Sequence, residues 1–581
     1  MKRLVCIVAC LFVAVGMFVG CQDKTSTEPR GNTTTSDQKV VFRYPIASDV
    51  PTLDPAKITD DTSHYVGKQI FEGLVTYDKD LNIIPCLAQK WDVSPDGKVY
   101  TFTLKDTKFS NGDPLNAVDF KWSFERVLRP EIKSERTWIF SEIAGFQDVI
   151  DKKTTDLAGI KAVDQKILQI TLTNPSGIFL HKMTYSTAYV VNKNVVEAYE
   201  NPMTEEKKDD TAKTEEKTEE KKEEPTTTTS GKKAGQWFEY EPVGTGAFKL
   251  VEWKRGQKVI LERNDGWWGY VDQVVDEGYK PVNEVVFPII QEDTARMLEY
   301  KADNLEWVQI PDADFSSVKN DPVLQNEMLS VKELAVYYIG FQNKKEPFTN
   351  QKVRQAFNYA VNRQEIIDKI FNGRHILATG IIPQVMPNFT SKSEAYTYDP
   401  VKAKELFDEA IKEGTKIPDK IVLAFNNGNA VHKSVCEFIQ NQLKANLGVN
   451  VELTSADWGT YLTDIDNGQY AMFRLGWIAD YPDPDNFLWV LLDSANAGPK
   501  GGSAFYSNPE FDKLVEAAKT ETDNAKRMVM YEDAEAIAMK DACWMPIAFQ
   551  TNWSLLKPYV KGFNRTAMGV LTFGTITIKD H

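Results

Sequence analysis

An apolar run from Leu4 to Gly20, preceded by Lys2 and Arg3 and stopped at Cys21, constrains this chain more than any other feature. A charged start, a short apolar stretch and polar sequence beyond it have the layout of a secretory signal, so the rest of the chain must fold on the far side of a membrane. No later stretch approaches the roughly 20 apolar residues that a spanning helix needs. The expectation is a globular body that meets the membrane only through an anchor at its start. Residues 22–39 contain no large apolar side chain and cannot collapse, which makes them a flexible tether.

With 581 residues, 42% of them hydrophobic and 11% aromatic, the chain can build a large core and is expected to divide it among two or three domains. The formal charge is −15, and losing Lys2 and Arg3 with the leader makes the mature chain more acidic still. That balance argues against nucleic acid, which needs a basic face, and against flat docking on anionic lipid. Cys6 and Cys10 leave with the leader. The remaining trio of Cys86, Cys436 and Cys543 is no disulfide framework, and reads as buried free thiols or as one bridge with one thiol left over.

The segment 202–235 stands apart, because residues 205–224 hold ten acidic and six basic side chains and TEEK recurs at Thr214 and Thr218. It reads as a solvated, low-complexity insertion. Elsewhere the pattern is mixed α/β. The alternation of Val99 to Leu104 and of Leu168 to Leu172 predicts strands, and the periodicity of Val353 to Phe371 and Val401 to Lys412 predicts helices. Asp399-Pro400 supplies the cap and first-turn residues for the second helix. Strand-like Ile421 to Phe425, a helix from His432 to Leu447 and strand-like Val449 to Thr454 form a βαβ unit, so part of the sheet should be parallel.

A catalytic reading finds little to hold. The five histidines, His64, His181, His375, His432 and His581, include no pair at i, i+4 spacing. The phosphate-loop, nucleophile-elbow and C-x-x-C patterns are missing. Pairs of carboxylates are too common in a chain with 83 of them to signify acid/base work. No catalytic residue, metal site or cofactor is expected.

Ser48-Asp49-Val50-Pro51-Thr52-Leu53-Asp54-Pro55 and, after it, Ile70-Phe71-Glu72-Gly73-Leu74 open a series of stretches that, in order, resembles the peptide-binding family of ABC-importer solute receptors, the first looking like that family's first strand and the second like the helix end after it. Residues 91–104 (WDVSPDGKVYTFTL) and 109–115 (FSNGDPL) resemble its signature, continued by Ala117 to Phe120 and by Ser123-Phe124. Residues 242–248 (PVGTGAF) with Glu252-Trp253, Phe341-Gln342-Asn343 through Phe348, and Val353-Arg354-Gln355-Ala356 to Arg363 complete the series. At the start, Phe18-Val19-Gly20-Cys21 resembles a bacterial lipobox with Phe in place of the usual Leu, which implies a diacylglycerol on the Cys21 thiol; ordinary cleavage leaving Cys21 free is the alternative.

The resemblance implies a periplasmic-binding-protein-like receptor that closes about a hinge. Domain I is expected from 40–61, 186–331 and 548–581, domain II from 62–185 and domain III from 332–547. It implies a monomer that holds a short peptide between domains I and III and delivers it to the permease subunits of an ABC importer, anchored by lipid at the extracytoplasmic face of the membrane, in the periplasm of a Gram-negative host. In residues 474–488 (RLGWIADYPDPDNFL), Asp480 falls on the aspartate that takes the peptide's α-ammonium. The backbone of Gly476 and Ile478 would add the peptide as a strand. Trp458 and Trp477 match aromatic positions lining side-chain pockets, and Arg474 and His432 match partners of the peptide carboxylate. A second arginine expected nine residues before Arg474 is Ile465 here. The same scaffold with a nickel chelate, a sugar or a signalling peptide is the alternative, and a cell-wall hydrolase or adhesin the distant one.

Overall fold

A computed structural model describes residues 39–201, 235–271, 273–498 and 501–581 apart from 571. The leader, Cys21, most of the tether and nearly all of the acidic insertion lie outside the described residues. Residues Val40–His581 form one compact unit. Among the described residues no helix is long and apolar enough to cross a membrane.

Alternation builds the first layer. Val99–Leu104 buries Tyr100, Phe102 and Leu104 on one face and sits inside an antiparallel four-stranded sheet with Ala88–Val93, Ile167–Thr171 and Ile160–Ala162. A second four-stranded sheet joins Val41–Arg43, Glu284–Pro288, Lys258–Arg263 and Phe248–Lys254, the first pair parallel. Its core takes in the chain's far end, since Phe573 and Ile576 pack in the same cluster as Phe42 and Tyr44. The largest sheet is mixed and runs in the order Trp307–Gln309, Trp544–Leu556, Met328–Phe341, Met472–Ile478, Ile421–Asn426, Val451–Ala456. The mixed α/β architecture expected from the sequence is therefore present.

Local chemistry explains the elements. Asp399 accepts the Lys402 N–H and Pro400 opens the helix Pro400–Lys412, which buries Ala403, Phe407 and Ala410 on one stripe. Helix Ala430–Leu447 starts on the Asn429 side chain and ends at Gly448, whose φ of 72° turns the chain. It crosses between Ile421–Asn426 and Val451–Ala456, which pair in parallel from Ile421↔Val451. Cys86, Cys436 and Cys543 are buried and free.

Two sequence expectations give way. Residues Ser48 to Pro55 are not a strand; the first strand is Val41–Arg43. Pro51 and Pro55 have no N–H for a ladder, and Asp54 instead caps the turn Pro55–Lys57 and forms a buried two-pronged pair with Arg126 at 2.9 and 2.8 Å. The single helix read over Val353 to Phe371 is broken. It runs Gln351–Ala360, then restarts on the Asn362 side chain as short turns Arg363–Glu365 and Ile366–Ile370. The break lets the buried Arg363 guanidinium donate to the carbonyls of Ala378, Pro546 and Tyr396.

Candidate functional site

The strand Met472–Ile478 organises the site, because its two edges are used differently. One edge pairs antiparallel with Met328–Phe341 over its whole length, from Phe341↔Met472 to Ala335↔Ile478. The other pairs with Ile421–Asn426 only at Met472 and Phe473, and among the described residues no strand continues along Arg474 to Ile478. One pair beyond each end of the long ladder, Ala479 N–H donates to Leu334 C=O at 2.8 Å and Gln342 N–H to Ala471 C=O at 2.9 Å. Bonded and non-bonded pairs alternate in such a ladder, so Leu475 and Trp477 bond inwards while the N–H and C=O of Arg474, Gly476 and Ile478 face the outer edge. The Arg474 carbonyl is already occupied there by the buried Tyr461 hydroxyl. Gly476 and Ile478 are left presenting main-chain groups.

Gly476 lies opposite Tyr337, and a Cβ on it would come within 3.2 Å of the Val336 carbonyl and 3.7 Å of Arg474 Nη2. Ile478 is exposed. Beyond it the chain turns through Asp480. The Asn486 carboxamide oxygen accepts both the Asp480 N–H and the Trp477 indole N–H, each at 2.9 Å, and so fixes the turn. The Asp480 carboxylate sits between a cavity of about 180 Å³, lined by His64, Lys68, Tyr185 and Ser186, and one of about 450 Å³, lined by Trp138, Lys182 and Trp489. Arg136 Nη1 approaches it to 3.8 Å. Burial pushes the Asp480 carboxyl above the usual carboxylate range, and the Arg136 charge pulls it back.

The opposite end of the edge opens on a cavity of about 470 Å³ lined by Tyr337, Arg374, His375, His432, Arg474 and Asn552, among others. The Arg474 guanidinium lies 4.2 Å from the Tyr337 ring and donates to Asn426 Oδ1 at 3.2 Å. His432 Nδ1 is 3.3 Å from the Tyr337 hydroxyl. Burial, then the Arg474 charge, lowers the His432 imidazole to about 3, so the ring is neutral near pH 7. At about 3.3 Å per residue, the six residues from Arg474 to Asp480 separate the two ends by roughly 20 Å.

The structure thus brings Asp480, Gly476, Ile478, Arg474 and His432 along one edge. Trp477 and Trp458 lie differently. Trp477 is half-buried at the margin of the core around Phe473 and Leu475, and Trp458 is 51% exposed at the start of helix Trp458–Asp466, its ring 6.2 Å from Tyr461. Neither lines the three cavities described. Sequence reasoning missed Arg136, Tyr185 and Arg374, which sit in no motif and reach the site from distant segments. It also missed why the stretch after Asp480 is so acidic. Asp483 accepts two bonds from the buried Arg527 guanidinium, both 2.6 Å, and Asp485 accepts from the Tyr481 and Tyr531 hydroxyls.

Comparison with known proteins finds relatives along almost the whole chain. Residues 82–499 match the model of bacterial extracellular solute-binding proteins, family 5. The oligopeptide-binding protein OppA of Bacillus subtilis is 28% identical over 93% of this chain and 92% of its own length. Heme-binding protein A of Haemophilus influenzae is 28% identical over 94% and 93%. The unliganded open form of the periplasmic murein tripeptide-binding protein MppA superposes with a TM-score of 0.75 at 26% identity, covering 94% of this chain and 98% of that one.

Proposed function

Because this chain belongs to family 5 of the bacterial extracellular solute-binding proteins, whose members bind solutes rather than transform them, we propose that its solute is a short peptide destined for an ABC permease. The observation that carries this reading is the half-open strand, with outward main-chain groups at Gly476 and Ile478, a carboxylate at one end and a guanidinium at the other. A free peptide offers the matching set: an ammonium, a repeating backbone and a carboxylate. Its ammonium goes to Asp480, its backbone pairs with Gly476 and Ile478, and its carboxylate goes to Arg474 or His432. Since Asp480 follows Arg474 in the chain, the peptide runs antiparallel to Met472–Ile478. The names of OppA and MppA, both peptide-binding proteins, support the assignment.

Capture is completed by closure, which a ligand drives only if it favours the closed state by contacts to both sides. The expected junctions of domains I and III fall inside two long strands, Met328–Phe341 and Trp544–Leu556, whose mutual register shifts between Lys332 and Val336. We place the hinge there. Acylation at Cys21 and the 22–39 tether hold this monomeric receptor at the outer face of the membrane near its permease, raising local concentration without new contacts.

Calorimetry with unblocked and N-acetylated peptides tests the reading. Asp480→Ala is expected to weaken binding of unblocked peptides by roughly 100-fold or more, and acetylated peptides should bind no better to the wild type than unblocked ones do to the variant. Undiminished binding by either would remove the ammonium anchor. Native mass spectrometry of the purified chain identifies any solute that travels with it; a tetrapyrrole, the ligand class named for the Haemophilus relative, would replace the peptide reading.

A further inference from the structure

The cavity beside Arg474 holds more cationic hydrogen-bonding capacity than one carboxylate uses. Arg374 and Arg474 are 7% and 9% exposed and line the same space of about 470 Å³. Neither Arg374 Nε and Nη1 nor Arg474 Nε makes a hydrogen bond. Leaving such donors buried and unsatisfied is costly, so both guanidiniums hold donor capacity that their own surroundings leave unused. Arg374 is held from behind, with its own carbonyl accepting the Trp553 indole N–H at 2.9 Å and its Nη2 donating to Ile310 C=O at 3.3 Å.

Of the acidic groups nearby, Asp312 meets Arg374 only in part. Asp312 Oδ1 lies 2.8 Å from Arg374 Nη1 but out of line with its N–H bonds, and the Asp312 side chain is 60% exposed. Glu333 is engaged by Arg565 at 2.9 Å. The two histidines of the cavity add polarity without charge. Thr551 N–H donates to His375 Nδ1 at 3.3 Å, which leaves the ring proton on Nε2, and burial lowers His375 to about 4 as it lowers His432 to about 3.

The geometry points to a subsite for a second carboxylate: this receptor selects peptides whose C-terminal residue is glutamate or aspartate, with the α-carboxylate on Arg474 and the side-chain carboxylate on Arg374. The inference rests on the peptide reading above and names the substrate class of the same site. A guanidinium suits such recognition because its planar fork accepts a carboxylate on two N–H groups at once. An amide of the same shape would leave one of those donors unpaired.

Two peptide series of graded length separate the possibilities, oligoalanines ended by a C-terminal glutamate and the same oligoalanines ended by glutamine, from the dipeptide to the pentapeptide, titrated into the mature chain. The glutamate member of the best-bound length is expected to bind roughly tenfold more tightly than its glutamine isostere, and the gap should narrow with added salt. Arg374→Gln should bring the two within about twofold, chiefly by weakening the glutamate peptide. A single cooperative melting transition shows that the variant is folded. Equal affinities for both series in the wild type overturn the inference and spare the peptide reading. So does an Arg374→Gln variant that weakens both alike. If no member of either series binds, the peptide reading itself fails and takes this inference with it.

Discussion

The two ends of the Met472–Ile478 edge carry opposite charges, and they are prepared in opposite ways. At the acidic end, Asp480 already has a cation 3.8 Å away in Arg136, and its turn is tied by Asn486. At the basic end, Arg474 has no carboxylate partner among the described residues and its Nε keeps a buried N–H donor without an acceptor. On the proposed peptide reading, Asp480 is set for exchange, with a ligand ammonium joining or replacing a guanidinium already there, whereas the Arg474 cavity is set for addition. Exchange and addition respond differently to mutation and to pH.

The deepest support for the acidic end is the buried Arg527–Asp483 pair, at most 4% exposed on either side. Arg527→Met leaves the buried Asp483 without a counter-charge beside Asp485, and should cost about 3–5 kcal/mol in chemical denaturation. A loss under about 1 kcal/mol would mean that the Asp480 turn is held by other contacts. Next in size is Gly476→Val, which strikes the basic half, since its Cβ meets the Val336 carbonyl and crowds Arg474 Nη2. Calorimetry should show peptide affinity falling roughly tenfold, the scale of overpacking strain, with discrimination against N-acetylated peptides retained. Loss of that discrimination instead would show that the two ends are not separable.

The smallest effect is expected from pH. The Asp480 carboxyl sits above its ordinary range, so affinity should fade as acidification protonates it, while His432, at about 3, stays neutral throughout. Arg136→Met removes the charge that pulls Asp480 back down, so the acid limb should start at higher pH and affinity at pH 5 should be lower by about threefold than in the wild type. A limb centred near the ordinary histidine value of about 6.5, unmoved by this substitution, would assign the acid response to the basic end.

What the sequence could disclose followed from the range of the forces involved. Elements set by local pattern came through: the alternating strand at Val99–Leu104, the capped helix at Pro400–Lys412 and the βαβ unit between Ile421 and Ala456. Where a side chain's partner lies far along the chain, local pattern misled. Asp54 reads as part of a strand until Arg126 draws it into a turn, and the helix after Gln351 looks continuous until Arg363 must satisfy three distant carbonyls. At the site, the motif around Asp480 supplied that carboxylate and Arg474 as candidates. It could not supply Arg136, which comes from more than 300 residues earlier, or Arg374, because the contacts that place them leave no mark in their own neighbourhoods. The histidine at 432 was visible as a residue type, but its neutral state is a product of burial beside Arg474.

The Tyr461 hydroxyl on the Arg474 carbonyl has a consequence for the solubility of the molecule. An unpaired strand edge invites pairing with any other exposed strand, and long flat ones seed aggregation. Here Tyr461 closes the edge on one side, and Asn486 takes the Asp480 N–H on the other, leaving main-chain groups, among the described residues, only at Gly476 and Ile478. Two residues give the loose end of a short chain something to grip, yet they are too few to nucleate a sheet between whole proteins. The same restriction that would make the edge a docking place on the peptide reading also works against crowded copies of the chain sticking to one another.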